Sequence, residues 1–165
     1  MSIKRVIKDG KVAHNEELIM DTIEKLLGDK EGEVWTVKPE DTVFDAIKMM
    51  NEKSVGALPV VLNDKLVGII SERDYTRKVI LENRTSKETR VKDIMTEKVF
   101  HAKPNQKIEE CMYLMTEHKI RHLPVVNEGK LSGMISVGDV VKHVISDQKF
   151  KIEQLEQNIS WGESY

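Results

Sequence analysis

The sequence predicts an α+β protein in which two copies of a β-α-β-β-α unit pack with pseudo-twofold symmetry. The main observation is an internal repeat with an offset of 65 residues, which superimposes Leu-Pro-Val-Val at 58–61 on the same tetrapeptide at 123–126. From 38 to 80, the two copies share 16 identities in 43 positions without a gap. Ordinary residue frequencies would give roughly three. Two further observations, helical spacing and paired apolar runs, indicate the elements of each unit.

The repeat divides the chain into five parts. Residues 1–33 form an N-terminal helical extension, with Ile19, Ile23, Leu26 and Leu27 on one predicted stripe. The predicted parts are the extension 1–33, the first repeat 34–84, a connector 85–98, the second repeat 99–147 and a C-terminal helical tail 148–165.

Each repeat begins with a short predicted strand, at 34–37 and 99–102, followed by a helix. The helix is indicated by apolar residues at spacings of 0, 3, 4 and 7, which lie on one face of an α-helix. One repeat of about fifty residues buries little apolar area alone, so we expect the two to pack together. The spaced residues are Val43, Ala46, Ile47 and Met50 in the first copy and Ile108, Cys111, Met112 and Met115 in the second.

A hairpin and a second helix complete each repeat. Two apolar runs, 58–62 and 66–70, are separated by Asn-Asp-Lys, and the second copy has Asn-Glu-Gly-Lys at the matching turn. Short apolar runs joined by such turns are typical of β-hairpins. The second helix is predicted from Ser71 to about Asn83 and from Ser136 to about Ser146.

Composition limits the classes of function. The chain is 39% hydrophobic and 33% charged, with a net charge of −2, which indicates a globular protein and disfavours a nucleic-acid partner. The longest apolar run, 55–62, is too short to span a membrane, and no apolar run of a signal peptide follows the N-terminus. A single cysteine, Cys111, allows no internal disulfide and agrees with a reducing cytoplasm, where we expect this protein.

No motif indicates an enzyme. The sequence contains neither a phosphate-binding GxxxxGK[ST] loop, nor a GxGxxG fingerprint, nor a GxSxG nucleophile. The five histidines lack the spacing of metal ligands, so a structural zinc site is not expected. We therefore predict a non-catalytic protein that needs no cofactor.

Both copies carry Ser-x-x-Asp where the hairpin meets the second helix, at Ser71–Asp74 and Ser136–Asp139. One interpretation is a helix capping box, although Glu or Gln suits that role better than the shorter Asp. The other is a ligand site, because a helix N-terminus and a serine hydroxyl can both bind phosphate. The local pattern alone leaves both interpretations open.

The duplicated pattern of a helix, Leu-Pro-Val-Val, a hairpin and Gly-[Ile/Met]-Ile-Ser-x-x-Asp resembles a tandem pair of CBS domains, also called a Bateman module. Val-Lys-Asp-Ile-Met-Thr at 91–96 is similar to the approach to a second CBS unit. The sequence around Ser71–Lys78 resembles the stand-alone bacterial and archaeal branch. The resemblance covers about 34–147, and the tail is also similar to the short C-terminal helix of that branch.

The resemblance implies a regulatory module that binds AMP, ADP, ATP, NAD(H) or S-adenosylmethionine between the repeats. It also implies frequent pairing of two chains, here a homodimer, and an effector protein that the sequence does not identify. Asp74 and Asp139 would hold ribose hydroxyls, with Ser71 and Ser136 beside them. The backbone before each Leu-Pro-Val-Val strand would meet the adenine edge, at Val55, Gly56 and Ala57 in the first copy and Ile120, Arg121 and His122 in the second.

The two copies differ in charge at these positions. Arg121 and His122 match Gly56 and Ala57, and Arg73 matches Gly138. Arg73 could reach a phosphate, or it could pair with Glu72 or another charge of the helix. Arg121 and His122 could contact phosphate, or they could be a solvated surface residue and a half-buried strand residue respectively. We hypothesise that the two sites are not equivalent and that one dominates. The alternative is a CBS fold without a ligand that acts as a structural or protein-interaction module.

Overall fold

The computed structural model of the chain describes residues 7–8, 11–12, 21–29 and 32–162. Near the N-terminus, β1 (Ile7–Lys8) pairs with β2 (Lys11–Val12), and α1 (Ile23–Gly28) follows. Of the stripe predicted on the extension, Ile19 lies outside the described residues, whereas Ile23 and Leu26 are buried on α1. The predicted extension therefore supplies core residues.

The two repeats have matching elements. In each, a helix leads into an antiparallel hairpin and a second helix. A short connector helix, α4 (Val91–Ile94), lies between the repeats. The first repeat contains α2 (Val43–Lys53), β3 (Ala57–Leu62), β4 (Lys65–Ser71), α3 (Glu72–Tyr75) and a π-helical turn (Thr76–Ile80). The second contains α5 (Ile108–Glu117), β5 (His122–Asn127), β6 (Lys130–Ser136) and α6 (Val137–Gly162).

The structure confirms the α+β class and the duplication, and the strand registers coincide. Leu58 pairs with Ile70 in the first hairpin, as Leu123 pairs with Ile135 in the second. Both hairpins also have a register shift at the same place, after Val60 and after Val125. Because a register shift reverses which side chains face the core, its repetition keeps the two cores equivalent.

Two predicted elements take a different form. The strand expected before the first helix of each repeat is reduced to one parallel bridge, Val37 with Val60 and Ala102 with Val125. The second helix of the second repeat does not end near Ser146, because α6 continues without a break across the boundary drawn at 147. The helical segment predicted for 148–165 is thus, as far as Gly162, an extension of α6.

Each repeat is completed by a helix that precedes the other repeat in the chain. Ile23 and Leu26 of α1 are buried with Ile108 and Leu123 of the second repeat. The backbone N–H of Ile23 also donates to the carbonyl of Gln106, at 2.9 Å. The extension at the chain's start is therefore part of the second hydrophobic core.

The connector makes the equivalent contact with the first repeat. Val91 and Ile94 of α4 are buried with Val43 and Leu58. The N–H of Val91 donates to the carbonyl of Asp41 at 2.9 Å, which repeats the bond that Ile23 makes. The chain thus crosses between the two cores, and neither is complete from its own repeat alone.

The residues at the start of α1 make a polar contact with α6 beside the second core. Asp21 lies 2.9 Å from Nε2 of the nearly buried His143, and Lys25 donates to Asp21 at 2.8 Å. The hydrogen bond from Lys25 lowers the pKa of Asp21 most, and the contact with His143 lowers it further. At the position that matches His143 in the first repeat stands Lys78, which contacts Asp74 instead.

One residue of the predicted core stripe is not in the core. Met112 is 39% exposed, whereas Ile108, Cys111 and Met115 of the same helix are buried. The buried side chains are three and four residues apart, and Met112 lies at the edge of that face. Burial raises the pKa of the Cys111 thiol to about 11, so this cysteine is a core residue and not a reactive group.

We expect Ile23→Ala to lower the free energy of unfolding by about 2–5 kcal/mol, the usual cost of a cavity at a fully buried aliphatic residue. Urea denaturation monitored by circular dichroism measures this change. Glu24→Ala, an exposed neighbour on the same helix, is the control and should change stability by less than about 0.5 kcal/mol. Equal effects of the two variants would contradict the placement of α1 in the second core.

Candidate functional site: two clefts between the repeats

The Ser-x-x-Asp segments lie where each hairpin ends and the second helix begins. In the first repeat, Asp74 Oδ2 accepts hydrogen bonds from the backbone N–H of Ser71 at 3.0 Å and from its hydroxyl at 2.8 Å. The N–H of Asp74 donates back to Ser71 Oγ at 3.3 Å. Ser136 and Asp139 repeat these three bonds at 2.8, 2.9 and 3.2 Å.

The capping interpretation therefore holds in both copies, and Asp is long enough to close the box. In the first repeat the other carboxylate oxygen of Asp74, Oδ1, lies 2.8 Å from Lys78 Nζ. Lys78 also donates to the carbonyl of Ile94 on the connector helix, at 2.6 Å. The carboxylate that the sequence singles out for ribose is thus held by its cap and by one lysine.

The fold brings each Ser-x-x-Asp segment to the strand start of the opposite repeat. Ser71 and Asp74 share a cleft with Ile120, Arg121 and His122. We call this the Asp74 cleft; its volume is about 460 Å³, within the range of small-molecule sites. Its lining residues also include Gly56, Ala57, Ile69, Glu72, Arg73, Arg77, Lys78, Thr96, Lys98, Val99 and Phe100.

The second cleft is related to the first by the pseudo-twofold. Ser136 and Asp139 face Val55, Gly56 and Ala57 across a volume of about 440 Å³. We call it the Asp139 cleft. Leu27, Gly32 and Glu33 of the extension line it, together with Val34, Trp35, Lys53, Ser54, Leu58, Pro59, His122, Ser132, Gly133 and Met134.

His122 stands between the two clefts and lines both. A Cβ atom placed on Gly56 would lie 3.2 Å from His122 Cε1 and 3.5 Å from a carboxylate oxygen of Glu72. A side chain at position 56 would therefore press on the histidine. The small residue leaves room for the imidazole where the two repeats meet.

All the site residues predicted from sequence line one cleft or the other, but they are grouped across the repeats. Arg73 of the first repeat and Arg121 of the second, which the sequence separates by 48 positions, line the same cleft. Arg73 is oriented by a hydrogen bond from Nη1 to the carbonyl of Lys119, at 3.2 Å. The charge differences between the copies are thus concentrated in one place.

The sequence analysis missed several residues of the Asp74 cleft, including Arg77, Lys78, Lys98 and Phe100. Lys78 follows Asp74 by four residues, a spacing at which oppositely charged side chains meet on a helix. Phe100 belongs to the predicted strand 99–102, and its ring stacks on His118 with centroids 3.9 Å apart. Arg77 and Lys98 had no signal beyond their charge.

Metal-binding clusters and membrane-spanning helices are both absent from the described part of the chain. Those residues contain no group of three or more His, Cys, Asp and Glu side chains that could hold a metal ion. None of the described helices is long and apolar enough to cross a membrane.

We expect Asp74→Ala and Asp139→Ala each to lower the free energy of unfolding by about 1 kcal/mol, because each removes the acceptor of a helix cap. Asn variants should lose less, since the amide oxygen can still accept from the serine. Thermal and urea denaturation of the four variants test this. A loss several times larger for the alanine variants would mean that these carboxylates do more for the fold than cap a helix.

Known proteins share both the sequence and the fold. The CBS domain family matches residues 30–80 and 91–146. A mitochondrial CBS domain-containing protein of Arabidopsis thaliana, CBSX3, is 44% identical over 128 residues, which are 74% of this chain and 62% of that protein. The match thus spans less than two thirds of this relative's length.

Two further similar proteins are a solved structure and an enzyme. The structure of a protein with CBS domains from Burkholderia ambifaria MC40-6 is 53% identical, has a TM-score of 0.75, and is matched over 78% of this chain and 96% of its own. Inosine-5'-monophosphate dehydrogenase of Methanocaldococcus jannaschii is 44% identical over 67% of this chain but only 21% of the enzyme. The chain belongs to the CBS domain family and contains a tandem pair of CBS domains, a type of module that is typically regulatory.

Proposed function

We propose that this protein is a non-catalytic sensor that binds an adenine nucleotide in the Asp74 cleft. The observation that carries the proposal is the meeting of Asp74 with Ile120, Arg121 and His122 in one volume of about 460 Å³. The candidate ligands are AMP, ADP, ATP and NAD(H), which share the adenosine that the family resemblance assigns to these positions. S-adenosylmethionine shares it as well.

Each part of such a ligand has a counterpart in the cleft. The adenine would lie against the backbone at Ile120–His122, with Val99 nearby, and the ribose hydroxyls would bind Asp74. Because Asp74 Oδ1 already contacts Lys78, the ribose would displace or share that contact. A released Lys78 could then turn toward a phosphate, so the ion pair would be exchanged and not simply lost.

The ligand would act by bridging the repeats. Its adenosine would contact residues of both, and so its affinity would depend on how the two are packed. A ligand shifts such an equilibrium only by the difference between its affinities for the two arrangements. An effector protein that recognises one arrangement would then respond to the nucleotide concentration.

The proposal includes no catalytic cofactor. We also propose that the protein is located in the cytoplasm.

The first test is thermal unfolding with AMP, ADP, ATP, NAD, NADH and S-adenosylmethionine, and with guanosine nucleotides as the control. A ligand at 100 times its dissociation constant should add roughly 2.7 kcal/mol to the free energy of unfolding. The proposal requires at least one adenosine compound to stabilise the protein more than its guanosine analogue. No stabilisation by any of them at millimolar concentration would favour a module without a ligand.

The pseudo-symmetry supplies the matched pair of variants for this test. Asp74→Asn and Asp139→Asn make the same change in equivalent caps, although Asp74→Asn also weakens the ion pair with Lys78. The effects of the two variants on folding are therefore measured beside their effects on binding. In calorimetry, Asp74→Asn should weaken nucleotide binding by roughly tenfold or more, the cost of one hydrogen bond to a charged group. Equal weakening by Asp139→Asn would show that the Asp74 cleft is not dominant.

A second part of the proposal concerns self-association. Val137, Val141 and Ile145 of α6 are spaced four residues apart and are 41%, 50% and 51% exposed. They form an apolar stripe on one side of the helix. We propose that a second copy of the chain covers it, which agrees with the pairing common among related modules.

We expect Val141→Glu to shift the protein from dimer to monomer. Each copy would bury one new carboxylate in the interface without an ionic partner, which costs free energy of association. Size-exclusion chromatography with light scattering measures the mass of each form. Lys142→Glu, at an exposed position next to the stripe, is the control and should leave the dimer intact. A wild-type protein that is monomeric at all concentrations would contradict the second copy as the partner.

A further inference from the structure

We infer that the Asp74 cleft selects adenosine ligands that carry two or more phosphates, and that the Asp139 cleft disfavours phosphate. The inference rests on the proposed function, since it specifies the ligand of that same site. It adds a chemical criterion that neither the fold nor the Ser-x-x-Asp motif provides, namely the charge that the ligand must carry.

The argument starts from positions that the repeat makes equivalent. Three basic residues of the Asp74 cleft have a matched position in the other copy, at the offset of 65. Lys98 matches Glu33, Arg121 matches Gly56, and Arg73 matches Gly138. Glu33 and Gly56 line the Asp139 cleft. At three matched positions a cation in one copy is therefore replaced by an acid or by no side chain in the other.

The cations of the Asp74 cleft outnumber its acids. Among the described residues that line it, Lys78 is paired with Asp74, which leaves four basic side chains, apart from His122, and one further acid, Glu72. Those four are Arg73, Arg77, Lys98 and Arg121. Like charges gathered in a cleft repel one another, and an anion of several charges relieves that repulsion.

Their chemistry suits phosphates in particular. Three of the four are arginines, whose planar guanidinium can donate two parallel hydrogen bonds to a phosphate. One phosphate monoester carries at most about two negative charges at neutral pH, which is less than the cleft presents. Each additional phosphate adds charge and acceptor oxygens, so affinity should rise from AMP to ADP to ATP.

The Asp139 cleft has the opposite character. Glu33 and Asp139 are acidic, and Lys53 is the basic residue among the described lining residues apart from His122. Lys53 Nζ lies 3.8 Å from the centroid of the Trp35 ring, over its face. This contact holds the ammonium against an aromatic ring, an arrangement that stabilises it without an anion. A phosphate entering this cleft would meet the carboxylate of Glu33 where the other cleft offers Lys98.

The test measures the affinities of adenosine, AMP, ADP and ATP by calorimetry at low and at high salt. We expect ATP to bind at least roughly tenfold more tightly than AMP, which corresponds to about 1.4 kcal/mol. The difference should shrink at high salt, because exposed charges are screened. Equal affinities for AMP, ADP and ATP would overturn the inference.

The decisive variant is Lys98→Glu, which installs the acid of the equivalent position. It should remove most of the preference for ATP over AMP while leaving adenosine binding within about twofold, since Lys98 is assigned to phosphate only. Lys142→Glu is the matched control, because it makes the same charge reversal at an exposed lysine that lines neither cleft. This variant should leave the affinities for ATP and for AMP unchanged.

Failures of the two proposals are distinguishable. If no adenosine compound binds, the proposed sensor function fails, and with it the inference. If adenosine and its nucleotides bind with equal affinity and Lys98→Glu changes nothing, the sensor function stands and the phosphate criterion fails. A preference for ATP that survives Lys98→Glu but is strengthened by Glu33→Lys would assign the phosphates to the other cleft and contradict the inference.

Discussion

The crossed packing of α1 and α4 is the contact on which the rest of this structure depends. Ile23 and Leu26 enter the core of the second repeat, and Val91 and Ile94 enter that of the first. Residues 32–35 follow α1 and line the Asp139 cleft, and Thr96 and residues 98–100 follow α4 and line the Asp74 cleft. The same crossing therefore contributes residues to both the cores and the clefts.

The two clefts share a repeated backbone but differ in their side chains. The backbone of the hairpins, their register shifts and the two capping boxes are the same in both copies. The side chains that face the cleft volumes are not, since Arg73 and Arg121 on one side correspond to Gly138 and Gly56 on the other. The repeated backbone therefore provides two clefts of similar volume, about 460 and 440 Å³, and our proposal is that their charges select different ligands.

The sequence was sufficient for the α+β class, the duplication and the hairpins, because the repeat and the apolar runs are local signals. It was not sufficient for the crossing of α1, since the stripe of Ile23 and Leu26 shows that the helix packs but not on which repeat. The exposed Met112 and the continuous α6 were missed for a related reason: an apolar residue at helical spacing does not indicate where the buried face ends. Lys98 was missed because only the three-dimensional arrangement shows that the connector lines a cleft.

The central claim is that one cleft, the one around Asp74, receives the phosphate-bearing ligand. The most direct measurement is a titration of isotope-labelled protein with ATP, followed by the backbone amide signals in NMR spectra. The account predicts that the largest shifts occur at residues of the Asp74 cleft alone, such as Arg73, Lys98 and Val99. Largest shifts at Glu33, Val34 and Ser136 of the Asp139 cleft, or equal shifts in both clefts, would contradict it.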